Sequence, residues 1–242
     1  MTTSPTPPVR HAFVTGASKG IGRAIAERIA AAGGDVAITA RDAGALADVA
    51  QALDAAHPGR VVGIPCDVRD EAAVHDAVRH ATELFGGLDL VVANAGIGRF
   101  APVPDLTSED WHAVIDTNLT GVFHTAQATL PALEASQGLL VTIGSLAGAN
   151  FFAGGAAYNA SKFGLLGFTQ ALMLDVRDRG VRVSTIMPGS VATPFAGREP
   201  TDADAWKIQP EDVATLVMDL AAMPARTLPS RIEVRPARPP KR

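Results

Sequence analysis

Cysteine is nearly absent from this 242-residue sequence: Cys66 is the only one. That excludes a disulfide within the chain and reads as a reducing, cytoplasmic setting. Long apolar runs are missing too, and none approaches the roughly 18 residues that a membrane span needs. Positive charge is not in excess: the formal net charge of −4 argues against nucleic acid as a partner. The six histidines (11, 57, 75, 80, 112 and 124) form no H-E-x-x-H. They read as solvated, and no metal is expected. The start, MTTSPTPPVR, lacks the apolar core of a signal peptide and reads as a flexible lead over 1–10. The end, RPARPPKR at 235–242, reads as a basic, proline-rich, solvated tail. Aromatics are scarce at 5% of residues, and tyrosine occurs once, at 158. That single phenol needs an explanation.

What the chain has in quantity is alternation. Short β-branched apolar runs predict strands near 12–15, 35–40, 61–66, 88–93, 139–144, 181–187 and 230–234. Ala-rich stretches between them predict helices near 21–32, 43–56, 70–85, 108–134, 158–178 and 210–222. Ser108 suits an N-cap, and Pro210 suits a first helical turn. Several strands are apolar on both faces, as strands covered by helices on both sides must be. No repeat or interior linker interrupts the pattern. The expectation is one α/β domain over 1–242, a parallel sheet with right-handed crossovers. In such sheets ligands bind beyond the carboxyl ends of the strands.

The first strand runs into TGASKGIG, with Gly16, Ala17, Ser18, Lys19, Gly20, Ile21 and Gly22 ahead of a helix. Glycine allows the backbone to approach a pyrophosphate closely at a helix N-terminus. Alone, such a trio is also an ordinary tight turn; its place after strand one favours a nucleotide. At the end of strand two, where a carboxylate would hold a ribose 2′-hydroxyl, stand Ala40 and Arg41. Arg41 and Lys19 suit a 2′-phosphate, so NADP(H) is expected over NAD(H), although Arg41 also reads as a solvated charge. Asp67, in PCDV, reads equally as a contact to the adenine and as a helix cap. Asn94, in ANAG, has an amide able to bridge backbone and ribose.

Two polar residues accompany Tyr158. Ser145 ends strand five in TIGSLAG, and Asn118 lies in IDTNLTG inside a predicted helix. Asparagine is unfavourable there and marks a backbone interruption or a polar network. Lys162 follows Tyr158 by one turn on the same helix face. A free phenol has a pKa near 10 and is about one part in a thousand ionised at pH 7. A nearby ammonium favours tyrosinate, so Lys162 is expected to acidify the phenol by roughly 3 to 4 kcal/mol. Tyr158 would then exchange a proton with a carbonyl or alcohol oxygen held by Ser145. Lys162 would also grip a ribose, and Asn118 would anchor a water leading to solvent. A bare Y-x-x-x-K is more often an amphipathic helix; the glycine loop, Asn118 and Ser145 in order are what change that reading.

These residues together resemble the short-chain dehydrogenase/reductase family over nearly the whole chain, from TGASKGIG through NAG and YNASK to PGSVAT. The resemblance implies a single-domain Rossmann fold with seven strands in the order 3-2-1-4-5-6-7. It implies a catalytic tetrad of Asn118, Ser145, Tyr158 and Lys162. Implied cofactor contacts are Gly16, Ser18, Lys19, Gly20, Ile21, Arg41, Asp67, Val68 and Asn94, with Tyr158 and Lys162. Pro188, Gly189, Val191 and Thr193 would surround the nicotinamide end, Thr193 meeting its carboxamide. Two departures stand out: ANAG replaces the usual NNAG, and the ending is not glycine-rich. Family members are commonly dimers or tetramers. KFGLLGFTQALMLDV is apolar around most of its circumference, so a tetramer is expected, although a helix buried within one subunit reads the same way.

Ile97, Phe100, Leu146, Phe151, Phe152, Phe195 and Trp206 flank the tetrad in sequence and are candidate pocket residues. They suggest a ketone or aldehyde with a hydrophobic part. Residues 194–209 read as a short substrate lid, and Arg99 and Arg198 as isolated, solvated charges. The leading expectation is an NADPH-dependent carbonyl reductase, reversible as an alcohol dehydrogenase on a small molecule. The alternatives are an NAD-linked alcohol or sugar dehydrogenase and a dinucleotide-sensing regulator without turnover.

Overall fold

The computed structural model describes residues 9–239; the outermost parts of the expected lead and tail, 1–8 and 240–242, lie outside the described residues. Seven parallel strands form one sheet in the order β3-β2-β1-β4-β5-β6-β7. They are β1 (His11–Thr15), β2 (Asp35–Ala40), β3 (Val61–Pro65), β4 (Leu90–Ala93), β5 (Leu139–Ile143), β6 (Arg182–Pro188) and β7 (Arg231–Val234). The chain crosses over between strands through α1 (Gly20–Ala31), α2 (Ala43–Ala56), α3 (Glu71–Phe85), α4 (Ser108–Ile115), α5 (Gly121–Ser136), α6 (Ala156–Val176) and α7 (Pro210–Ala222).

Alternation along β1 shows how both faces are covered. Phe13 points into the core beneath α3, α5 and α6, with Val78, Leu133, Leu140 and Leu165. Val14, its neighbour, points into the opposite core beneath α1, α2 and α7, with Ile25, Leu46, Val141 and Val217. Successive side chains of a strand face opposite ways, so a strand buried on both sides must be apolar throughout. Register is fixed at the centre by Val14 opposite Ile38 of β2 and Val92 of β4.

Helix starts are set by short acceptors. Asp42 accepts from the Ala45 N–H at 3.0 Å, and Asp70 from Ala73 at 3.1 Å. Thr107, not Ser108, caps α4, accepting from Asp110 at 3.1 Å; Ser108 is already the first helical residue. Pro210 opens α7 as expected. The expected helix over 108–134 divides in two at a π-helical turn, Asp116–Thr120, which carries Asn118. At the start of the described chain Val9 is buried, and Asp89 accepts from the Arg10 and His11 amides at 3.2 and 3.0 Å. These residues are therefore fastened to the sheet rather than part of a free lead. Among the described residues no helix is long and apolar enough to cross a membrane.

Candidate active site

The cleft opens where β1, β4, β5 and β6 end. On its nucleotide side, Gly16 has φ +66°, and a Cβ there would lie 2.7 Å from the Ala95 Cα. A Cβ at Gly22 would lie 2.5 Å from Asn94 Nδ2 and 2.6 Å from the Gly16 carbonyl oxygen. No larger residue fits without moving the loop. α1 begins beyond an extended Lys19 with no side-chain cap and no acidic residue in its first turn. Its leading N–H groups therefore suit an anionic ligand, as a dinucleotide's pyrophosphate would be. Ser18 is half-buried beside them, Lys19 is exposed, and Ile21 packs on the core.

Asn94 ties this loop to the sheet. Its amide donates to Thr15 O at 2.9 Å and Gly16 O at 3.0 Å. With both donors aimed at backbone, what remains toward a ribose is an acceptor. The Thr15 hydroxyl accepts from the Asn94 and Ala95 amides, both at 3.0 Å. Sequence reasoning missed Thr15, although it immediately precedes the glycines.

Arg41 stands exposed after β2. Asp67 does not cap α3, a role Asp70 takes; it is gripped by Arg69 at 2.6 to 3.0 Å. The Arg69 guanidinium holds the Asp67 carboxyl below its usual range, and the Arg41 charge adds to this. Val68 is buried against Gly121, and its carbonyl is 3.1 Å from His124 Nδ1. His124 is itself buried, which corrects its reading as solvated.

Beyond β6, Pro188 ends the strand, Gly189 donates to Val234 O at 2.8 Å, and Val191 bridges to Ile208. Thr193 reaches back to the glycine loop: a Cβ at Gly20 would come 3.3 Å from its Cγ2.

Tyr158 falls in the first turn of α6, with Lys162 one turn on. Fully buried Asn118 explains the π turn. Its Oδ1 accepts from Ile97 N–H at 2.8 Å, and its Nδ2 donates to Ile97 O at 2.9 Å and to Ser161 Oγ at 3.1 Å. Ser161 in turn donates to the Tyr158 carbonyl at 2.8 Å. The extra residue of a π turn frees the asparagine from the helix ladder and aims it at a loop. Asn159 pins the β5–α6 connection, donating to Ala147 O at 2.7 Å and Asn150 O at 2.8 Å. Asn159 and Ser161 were also missed, although they lie inside YNASK.

The electrostatics differ from expectation. Burial pushes the Tyr158 phenol above its ordinary pKa, and the Ser145 hydroxyl beside it pulls the other way. Lys162 is buried and its pKa falls to about 8. Its Nζ donates to Ile143 O at 2.9 Å and sits 5.8 Å from the Tyr158 ring centroid. Among the protein's own groups burial dominates the phenol, and what opposes it is Ser145 rather than the expected Lys162. At neutral pH the phenol keeps its proton and Lys162 its charge.

The candidate pocket residues separate. Phe100 and Phe195 meet the Tyr158 ring edge-on at 5.5 and 5.9 Å between centroids, and Phe152 meets Phe100 at 5.8 Å. Ile97 is held by Asn118, and Leu146 lies against Gly189. Phe151 points to solvent at 88% exposure, and Trp206 lies beneath Lys207 outside the ring cluster. Arg99 and Arg198 are not isolated: Arg99 pairs with Asp110 at 3.6 Å and Arg198 with Asp204 at 3.0 Å. Buried Asp204 also takes Lys207 at 2.7 Å and the Thr201 amide at 3.1 Å, anchoring the 194–209 segment.

Comparison with known proteins agrees with this geometry. Residues 10–204 match the family model described as short chain dehydrogenase. A sulfoacetaldehyde reductase 2 of Chromohalobacter salexigens is 37% identical, the match covering 93% of this chain and 94% of that one. An alcohol dehydrogenase from the archaeon Thermococcus sibiricus, solved with 5-hydroxy-NADP, superposes with a TM-score of 0.90 at 30% identity, covering 96% of this chain and 99% of that one. A short chain dehydrogenase from Burkholderia cenocepacia, solved with NADP, gives a TM-score of 0.85 at 36% identity over 93% of this chain and 96% of its own. With its strand order, glycine loop and Rossmann-type cleft, the chain belongs to the short-chain dehydrogenase family of NAD(P)-using oxidoreductases.

Proposed function

We propose that this protein is an NADPH-dependent carbonyl reductase, reversible as an alcohol dehydrogenase. The observation that carries the reading is the single tyrosine: half-buried, protonated, beside Ser145, and one turn from a buried ammonium. When bound, NADP(H) supplies the hydride in reduction and accepts it in oxidation. Its pyrophosphate would rest on Gly16, Ser18, Lys19, Gly20 and Ile21, and its 2′-phosphate on Arg41 with Lys19. Asp67 and Val68 would line the adenine, Asn94 would accept from the ribose, and Pro188, Gly189, Val191 and Thr193 would enclose the nicotinamide.

Ser145 Oγ donates to the carbonyl oxygen and holds it beside the phenol. Tyr158 gives its proton to that oxygen as negative charge develops there. The same group takes the proton back in oxidation, so reduction as the working direction is supported by the cofactor preference and not by the tetrad. Lys162 limits the cost of the tyrosinate that results. Asn118 acts through position: it fixes Ile97 and, through Ser161, the backbone of Tyr158 itself. The solved relatives that carry NADP, together with the missing carboxylate at Ala40, support the cofactor preference.

The test is NADPH oxidation against a panel of ketones and aldehydes. Tyr158→Phe should lower kcat by roughly 10²- to 10⁴-fold while calorimetry still shows cofactor binding. Turnover that survives this change removes Tyr158 from the chemistry. Cofactor binding with no turnover on any carbonyl by the unmodified protein favours the sensing regulator.

The same reading includes self-association. Trp111, Phe123, Phe163 and Leu174 on α4, α5 and α6 remain 38 to 54% exposed, an apolar face that a second copy would cover. Light scattering at micromolar concentration should show a dimer or tetramer, and a clean monomer would remove this part.

A further inference from the structure

Resting on the reductase reading, we infer that the substrate's second substituent is an uncharged aromatic ring, and that Phe195 is the residue that selects it. Four rings stand in file at the mouth of the site: Phe152, Phe100, Tyr158 and Phe195, with neighbouring centroids 5.5 to 5.9 Å apart. Their planes are tilted by 56 to 69°, the edge-to-face arrangement that aromatic rings prefer. A planar group entering beside Tyr158 meets ring faces and edges wherever it turns.

The backbone is shaped to admit them. A Cβ at Gly98 would lie 2.6 Å from the Phe195 ring and 2.8 Å from the Phe100 ring. The two rings therefore rest directly on main chain, immediately after the Ile97 that Asn118 fastens. A Cβ at Gly155 would lie 2.6 Å from Phe152. Yet packing does not finish the burial: Phe100 is 49% exposed, Phe152 48% and Phe195 36%. Three partly wet rings around a catalytic phenol form a binding surface whose remaining area a ligand can cover.

Charge points the same way. Arg99 and Arg198, the basic residues nearest these rings in sequence, already have acidic partners, Asp110 and Asp204. Lys162 is turned to the Ile143 carbonyl. A carboxylate or sulfonate on the substrate would be desolvated against phenyl rings with no cation of its own.

Phe195 differs from the other two rings in its mounting. It comes from the segment after β6, in a short turn where Ala196 has φ +55° and Gly197 φ +77°. A left-handed alanine is strained, and here it sits next to the ring that closes over Tyr158. Phe100 and Phe152 form the fixed wall, and Phe195 is the ring laid over the guest.

The experiment compares 1-phenylethanone, 2-butanone and sulfoacetaldehyde as substrates with NADPH, and titrates 1-phenylethanone calorimetrically into the protein with NADP⁺ present. The expected kcat/KM for the aryl ketone exceeds both others by roughly tenfold or more. Phe195→Ala should lower the aryl-to-butanone ratio of kcat/KM by about tenfold, mainly through KM, and Phe195→Tyr should restore most of it. Preference for the sulfonate, or an unchanged ratio in Phe195→Ala, overturns the inference. Failure to turn over any carbonyl strikes the reductase reading instead. The titration then decides the aromatic site alone: heat lost in Phe195→Ala supports it, and no binding to the unmodified protein overturns it.

Discussion

The two sides of the cleft are built on opposite plans. Around Asn118 and Asn94 the side chains are buried or half-buried and their amide donors are committed to named partners: Ile97, Ser161, Thr15 and Gly16. Around Phe100, Phe152 and Phe195 the side chains are apolar, partly exposed and carried on connections rather than on strands or long helices. The first arrangement fixes geometry, because every displaced group would lose a hydrogen bond in a place water cannot replace it. The second fixes only a chemical preference, and its rings stay partly open to solvent. Proton transfer needs the former and substrate choice tolerates the latter.

The sharpest way to break that contrast is at Asn118. Asn118→Leu keeps the volume and abandons Ile97 N–H, Ile97 C=O and Ser161 Oγ, so it should cost about 4 kcal/mol. For a chain of this length that lowers Tm by roughly 10 °C, readable by calorimetry. A loss under about 1 kcal/mol would show that the hydrogen-bonded side is no stiffer than the aromatic one.

Lys162 sharpens the comparison through pH. Its pKa is about 8 when folded against 10.5 unbound by structure. Between those values the unfolded chain binds more protons, so stability rises with pH across that window. The cost of burying the charge is fully present below pH 8 and gone above 10.5. Lys162→Met removes this climb, so the stability of the wild type relative to the variant should rise by about 3 kcal/mol from pH 8 to 10.5. Cys66, pushed up to about 11 by burial, loses stability over the upper part of the same range, but in both proteins, and cancels. Urea unfolding of the pair across this window is the measurement; parallel curves would mean that Lys162 is not held away from water.

Arg41 lies on the hydrogen-bonding side yet is exposed, so its effect should be intermediate. Arg41→Ala should weaken NADPH binding by roughly tenfold to a hundredfold, with NADH changed far less. Equal losses for the two cofactors would remove the 2′-phosphate reading.

The same division decides how much was legible in the sequence. The sheet could be read from apolar alternation, a local pattern, whereas its strand order came from the family resemblance that the glycine loop and YNASK carry. The cap at Thr107 instead of Ser108 lay within the ordinary uncertainty of a helix boundary. The break at Asp116–Thr120 was signalled by Asn118 but not located, since a π turn has no sequence spacing of its own. The direction of the Tyr158 shift in the protein alone differs from expectation because the ammonium's charge is visible in sequence and the burial of the phenol is not. Likewise the partner of His124 comes from tertiary placement, so reading that histidine as solvated had no local signal to correct it.

The smallest effect belongs to the residue that proximity in sequence made most tempting. Phe151 adjoins Phe152, but the backbone turns it outward, and no ring of the cluster lies against it. Phe152 has its ring against Gly155 and Phe100, and its amide donates to Asn159 Oδ1 at 3.3 Å. Burial, not identity, sets the energetic weight of a phenylalanine, at about 25 cal/mol per Å² covered. Phe151→Ser should therefore change stability by no more than about 0.5 kcal/mol, and solubility should rise. Phe152→Ser, one residue on, should cost more than 1 kcal/mol and weaken aryl ketone binding. If the two variants melt together, the ring cluster does not hold its members in place, and the aromatic side of the cleft is merely surface.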